Sequence, residues 1–237
     1  MKEVIAMHGW SANSDVWEPW IKAFQESGWI WQSYDRGYQS VKSYEIKWTE
    51  KMHKSKISPV RRAVIAHSLG IHLLDRKVLS EATDIVLLCS FGRFIPPCRE
   101  NRAIKIGLQG MRKTIGTKQE ITMINNFIKK AYYPQFLTSN DKRYLSKAIT
   151  PEGSEILLKD LDLLINTNGL PPGFPKDARV LAIESEQDAI IHQGTKVALI
   201  EDLNKLLLHR PTHWIMSNQG HMLFSSQIDA QILEWLE

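Results

Sequence analysis

Ala66-His67-Ser68-Leu69-Gly70 follows a short apolar run and precedes a helix-like stretch, Ile71-His72-Leu73-Leu74. A serine with small residues two places before and after it, at a strand-to-helix junction, has the form of a turn that presents a nucleophile. The small flanks matter because the turn is tight and the serine is held in a strained conformation. Ala66 stands where glycine is usual, one methyl group more than the pattern calls for. A serine hydroxyl is a weak nucleophile and needs a base of near-neutral pKa, held in the right tautomer by an acid. The chain supplies both, downstream and in a consistent order. Asp188 lies in the loop Glu184-Ser185-Glu186-Gln187-Asp188, after the run Val180-Leu181-Ala182-Ile183, and His221 follows Gln219-Gly220 beyond the last apolar run. Developing negative charge on a substrate oxygen would need two donors. The N–H of Leu69, next to the nucleophile, and the N–H of Trp10, in Met7-His8-Gly9-Trp10, are the candidates.

Each assignment has a plainer competitor. Ser68 also reads as a helix N-cap. Glu184 and Glu186 compete with Asp188 as the acid, which is favoured as the residue farthest from its strand, whereas Asp177 precedes that strand and falls at the wrong edge. His213 reads as part of a strand and His192 lies just beyond Asp188, so His221 is the expected base. His8 is expected to brace the loop that carries Trp10. His67 is expected to neighbour the turn and touch substrate, together with the Trp10 ring and Phe127. Asp35 and Arg36 are expected to stabilise the loop after the second strand.

The elements that position these residues alternate in character. Strand-like runs stand at 4–7, 29–34, 62–66, 85–89, 179–183 and 213–216, and amphipathic helical patterns at 16–27, 71–79, 197–206 and 226–236. Such alternation predicts an α/β fold, a mostly parallel sheet with helices on both faces. The interval 94–176 breaks the rhythm: helical in pattern, basic, too long for a simple crossover, and closed by a turn-rich exit at 168–175. It is expected to be a helical lid inserted before the last two strands, with 1–93 and 177–237 forming the core. Ser68, Asp188 and His221 then all fall at the C-terminal edge of the sheet, where ligands bind in open α/β folds.

Composition sets bounds. The 237 residues are 43% hydrophobic and 24% charged, as in an ordinary soluble globular protein. No signal-like segment or run of about 20 apolar residues is expected to direct or anchor the chain in a membrane, so a cytoplasmic monomer is the expectation. Cys89 and Cys98 are the two cysteines, one in an expected strand and one in a loop, which suggests neither a disulfide framework nor a zinc site. The eight histidines show no metal spacing, and no metal or cofactor is expected. Net charge is +4, but residues 99–147 hold 11 Lys and Arg against three acids. An anionic partner fits this block, with Arg102, Arg112, Lys113, Lys129, Lys130 and Arg143 as candidate contacts. Nucleic acid is not expected, since no binding motif accompanies the charge. An acidic membrane surface is the competing partner, given Phe127, Ile128, Tyr132 and Tyr133 beside Lys129 and Lys130.

His8-Gly9-Trp10, Tyr34-Asp35-Arg36-Gly37-Tyr38-Gln39-Ser40, the Ser68 turn, the Asp188 loop and Gly220-His221 together resemble the α/β-hydrolase superfamily. Gln39 and Ile71 depart from its usual glycines without touching the chemistry. The opening Met7-His8-Gly9-Trp10-Ser11-Ala12-Asn13-Ser14-Asp15-Val16-Trp17 looks like the small esterases of biotin synthesis, which cleave the methyl ester of pimeloyl-acyl-carrier-protein. The resemblance implies a serine carboxylesterase with an acyl-enzyme intermediate and an acidic acyl carrier protein as substrate carrier. Rival readings are another serine hydrolase (thioesterase, lipase or C–C hydrolase) and a non-catalytic binding protein on the same fold. Dehalogenase chemistry is disfavoured, because Ser68 stands where an aspartate nucleophile would be required.

Overall fold

The computed structural model describes residues 1–39, 46–49, 60–97, 101–137, 145–146, 148–224 and 226–237. Six strands, β1 (Lys2–Met7), β2 (Trp29–Tyr34), β3 (Arg61–His67), β4 (Asp84–Leu88), β5 (Arg179–Ser185) and β6 (Thr212–Met216), form one sheet in the order β2-β1-β3-β4-β5-β6. Every neighbouring pair is parallel. A parallel sheet must be covered on both faces, and the inner strands are accordingly apolar without alternation. Val4 and Ala6 of β1, with Ala63 and Ile65 of β3, face Trp17, Trp20, Phe24, Ile228 and Ile232. Those partners belong to a 3-10 turn at Ser14–Trp17 and to helices α1 (Glu18–Glu26) and α8 (Ser226–Leu236). Ile5 and Met7, with Val64 and Ala66, face the other way. They pack on α2 (Gly70–Leu73), α3 (Arg76–Ser80) and α7 (Gln193–Leu206).

The single helix expected over 71–79 is two. Leu74 turns extended at ψ 143°, and Asp75 caps a fresh helix by accepting from the amide of Lys77. A short acidic side chain that satisfies a free amide makes restarting cheaper than continuing. Helix α7 starts at Gln193, four residues before its apolar pattern, because His192 accepts from Gly194 and supplies the cap. Cys89, expected to end the fourth strand, has left it: its φ is +42°.

Between β4 and β5 the chain forms α4 (Asn101–Thr114), α5 (Glu120–Tyr132) and α6 (Pro151–Asn166). A third apolar cluster joins Leu108, Ile124, Ile128, Leu157 and Leu161 of these helices to Trp10, Leu69 and Phe91 from loops after β1, β3 and β4. The three helices therefore cover the C-terminal edge of the sheet. Helix α6 is bolted there by charge as well: Arg36 makes a two-pronged bond to the buried Asp160 at 2.6 and 2.8 Å, and the Tyr38 hydroxyl adds a third at 2.7 Å. Arg36 thus acts across to α6, while Asp35 accepts from the amide and hydroxyl of Ser14 and holds its own loop. Among the described residues no helix is long and apolar enough to cross a membrane.

Candidate active site

The turn after β3 carries a serine in the left-handed region. Ser68 has φ +54°, a conformation that costs a non-glycine residue roughly 1–2 kcal/mol and persists only where surroundings enforce it. They do so here on three sides. The Ser68 amide donates to Leu88 O at 2.9 Å, and its carbonyl accepts from the Ser90 hydroxyl at 2.7 Å. A Cβ on Gly70 would sit 2.4 Å from the carbonyl oxygen of Met7, so only glycine lets α2 lie against the end of β1. The loop after β1 is equally close, since a Cβ on Gly9 would fall 2.9 Å from that of Ser68. That approach sets the backbone at Gly9 beside the serine and accounts for the glycine there.

His221 and Asp188 meet from loops after β6 and β5. Nδ1 of His221 lies 2.8 Å from Oδ2 of Asp188, and both side chains are almost wholly buried. An ionised carboxylate only accepts, so Nδ1 carries the proton and Nε2 is left as the basic nitrogen. Oδ1 of Asp188 takes the amides of Ile190 and Ile191 at 2.7 and 2.9 Å. Burial alone would push this carboxyl upward. The His221 ring and the two amides outweigh it and hold the group at about 2. The rival acids are elsewhere: Glu184 faces His213 at 3.3 Å, and Glu186 is exposed. His192, the other rival base, caps α7.

Two further histidines are structural in their protonation. His67 donates from Nε2 to the carbonyl of His221 at 3.0 Å, and its ring packs 4.7 Å from that of His221. Burial, then the neighbouring imidazole, drives it down to about 3, so it is neutral. His8 donates from Nδ1 to Gly9 O at 2.8 Å, and burial lowers its pKa too. Among the described residues, one set of ligand atoms is close enough to hold a metal: Cys89, Asp188 and His221. Its carboxylate and imidazole are already bonded to each other.

Ser68 stands where two cavities meet. One, of about 30 Å³, is lined by Gly9, Ala12, His67, His221 and Met222. The other, of about 480 Å³, runs beneath α4 and α5 past Phe94, Gly107, Leu108, Met111 and Met123, with Asn126 and Lys130 as its polar members. Trp10 and Phe127 line both and form the partition; their rings meet edge to face at 5.3 Å, and the Trp10 indole donates to Leu157 O at 2.9 Å. Of the basic residues anticipated as partner contacts, Arg102, Lys113, Lys129 and Lys130 are exposed. Arg112 is engaged in a two-pronged pair with Asp162 at 2.7 and 3.2 Å, which joins α4 to α6. Arg143 and Cys98 lie outside the described residues. The sequence carried no signal for the large cavity or for Cys89 beside Asp188, because both depend on how α4–α6 and the end of β4 are placed.

The fold is the α/β-hydrolase fold. An esterase from Exiguobacterium antarcticum superposes with a TM-score of 0.72 at 15% identity, over 100% of this chain and 92% of that one. A carboxylesterase from Bacillus subtilis gives 0.57 at 17% identity, over 99% and 83%. A bromoperoxidase from Bacillus anthracis gives 0.66 at 15%, over 99% and 91%. No protein-family model and no curated protein matches the sequence. Likeness at this identity speaks to the fold, and the chemistry has to be argued from the site.

Proposed function

We propose that this protein is a serine carboxylesterase that cleaves an ester of an apolar acyl chain with a small alcohol. The observation that carries the reading is that His221, bonded to the buried Asp188, lines the same small cavity as Ser68, a serine held at φ +54°. In the mechanism, Nε2 of His221 takes the Ser68 proton as Oγ attacks the ester carbonyl. The N–H groups of Leu69 and Trp10 hold the oxyanion, and removing one such donor typically costs about 2.7–4 kcal/mol in the barrier. Collapse breaks the bond to the alcohol, which leaves with the proton from His221. Water then repeats the sequence on the acyl-enzyme and regenerates Ser68.

The cavities divide the substrate. The larger one is of the size that takes an extended small molecule, about 300–1,000 Å³, and suits the acyl chain. The smaller one, beside His221, suits the small alcohol of the ester and the water that follows it. Both features support the finer reading, the methyl ester of pimeloyl-acyl-carrier-protein, with exposed Arg102, Lys113, Lys129 and Lys130 steering an acidic carrier. Carrier-bound and free methyl pimelate, with Ser68→Ala as control, test it. Fast cleavage that is lost in Ser68→Ala and is much faster on the carrier supports the whole reading. Turnover of short methyl esters alone keeps the esterase and discards the carrier. A Ser68 that neither hydrolyses esters nor reacts with a fluorophosphonate rejects both.

A further inference from the structure

We propose that Cys89 is a positioning residue, whose thiol donates to the Asp188 carboxylate and fixes how that carboxylate supports His221. This rests on the esterase reading above for its kinetic consequences and on geometry for its placement. Sγ of Cys89, a carboxylate oxygen of Asp188 and a ring nitrogen of His221 all lie within 4.8 Å of one another. Cys89 is 3% exposed, and its amide donates to Ile183 O at 2.8 Å, which anchors the end of β4 to β5.

Two features separate this thiol from an inert core cysteine. The first is its backbone. At φ +42° Cys89 occupies a region that disfavours any side chain, and such strain at a sheet edge beside reacting groups marks a constraint on where the side chain points. The second is the arithmetic of the carboxylate. A carboxylate offers about four acceptor positions. His221 and the amides of Ile190 and Ile191 occupy three. The thiol, within 4.8 Å of the carboxylate oxygen, is the group placed to supply the fourth, which would leave the buried carboxylate fully satisfied. Burial and the adjacent carboxylate push the thiol well above its usual range, so it remains an S–H donor wherever Asp188 is ionised.

The other groups around the pair are accounted for. Lys196 of α7 is buried and donates to Ser185 O at 2.5 Å. His67, from the end of β3, is neutral against the far side of His221. His8, from the end of β1, is bonded to Gly9 O and acts electrostatically on His67. Loss of the thiol removes a donor that shares the negative charge of Asp188. More of that charge then falls on the imidazolium, and the acid limb of the pH–rate profile moves upward.

The experiment compares wild type with Cys89→Ser, Cys89→Ala and Cys89→Gly on a short methyl ester across pH 5–9, all with Cys98 retained. The expected result for Ala and Gly is a plateau kcat/KM lower by about threefold to tenfold, the worth of one modest hydrogen bond. Their acid limb moves up by about 0.5 pH unit, and Ser restores both values. Glycine is the guard against misfolding, since φ +42° suits it and the variant should melt no lower than Cys89→Ala. A second readout needs no turnover: the downfield NMR resonance of the His221 Nδ1 proton should move in Ala and Gly and return in Ser. Superimposable profiles and an unmoved resonance in Ala and Gly overturn the proposal, as does failure of Ser to rescue. Absence of Ser68-dependent hydrolysis in wild type overturns the esterase reading, and the resonance then decides on Cys89 by itself.

Discussion

Gly220 offers the sharpest test of how the base is held. It precedes His221, and a Cβ built on it would lie 2.0 Å from the carbonyl oxygen of Tyr133 and 2.8 Å from the carbonyl carbon. Both are backbone atoms at the end of α5, so no side chain can rotate away. Ordinary contacts of this kind begin at 3.4 Å, and reaching that distance from 2.0 Å requires the His221 loop to retreat by about 1.4 Å. The seam cannot absorb it locally, because Met222 N also donates to Ala131 O at 3.3 Å and Gln135 donates to Asn218 O at 2.8 Å. Misplacing a reacting group by about 1 Å costs on the order of 100-fold in rate. Gly220→Ala is therefore expected to lower kcat by about that factor, and KM to hold because the large cavity is untouched. Overpacking of this sort also costs about 1–3 kcal/mol of stability. Gly110→Ala is the control: nothing lies within 4 Å of its added Cβ, and alanine in a helix gains about 0.5–1 kcal/mol. Initial rates on a short methyl ester and thermal melts of the variants decide the matter. A folded Gly220→Ala enzyme with kcat within about threefold of wild type refutes the reasoning.

Other consequences follow from cavity shape and from protonation. Gly107 lines the large cavity and has open space where a side chain would begin, so Gly107→Leu should shift the preference in a series of ester chain lengths toward shorter acyl groups. Gly110→Leu, on the same helix but away from the cavity lining, should leave that series unchanged, and equal profiles for both variants would sink the assignment. His67 is held at about 3 in the fold, against about 6.5 for an ordinary histidine. Its contribution to stability is complete above pH 6.5 and is lost as pH falls toward 3, at up to about 1.4 kcal/mol per pH unit. Urea titrations between pH 7 and 5 should show a shallower loss for His67→Gln than for wild type, and parallel slopes would argue against a neutral His67.

What could be read from the sequence follows a physical line. The six strands were legible because each is an apolar run too short for a helix and flanked by turn residues. The placement of Ser68, Asp188 and His221 at one sheet edge was legible because a parallel sheet brings every strand's C-terminal end to the same side, so chain order already implied proximity. The bonds that tie distant segments were not legible. Arg36 and Asp160 stand 124 residues apart, and nothing local in either sequence names the other. The break at Leu74 and Asp75 was hidden because apolar residues continue in helical phase across it, while the decision rests on one capping side chain. Cys89 was read as strand from its apolar neighbours, and only the fold exposes its left-handed backbone.

The unequal cavities at Ser68 have a consequence for the fate of an acyl-enzyme. On the proposed esterase mechanism, the second nucleophile reaches the acyl-enzyme carbonyl from the side of His221, through the smaller of the two cavities. That narrower space is expected to favour small second nucleophiles over bulky ones. Water and methanol enter such a space more readily than glycerol, bulky amines or sugars. In mixed water–alcohol solvents, methyl ester should form in competition with free acid, and the corresponding butyl ester should not.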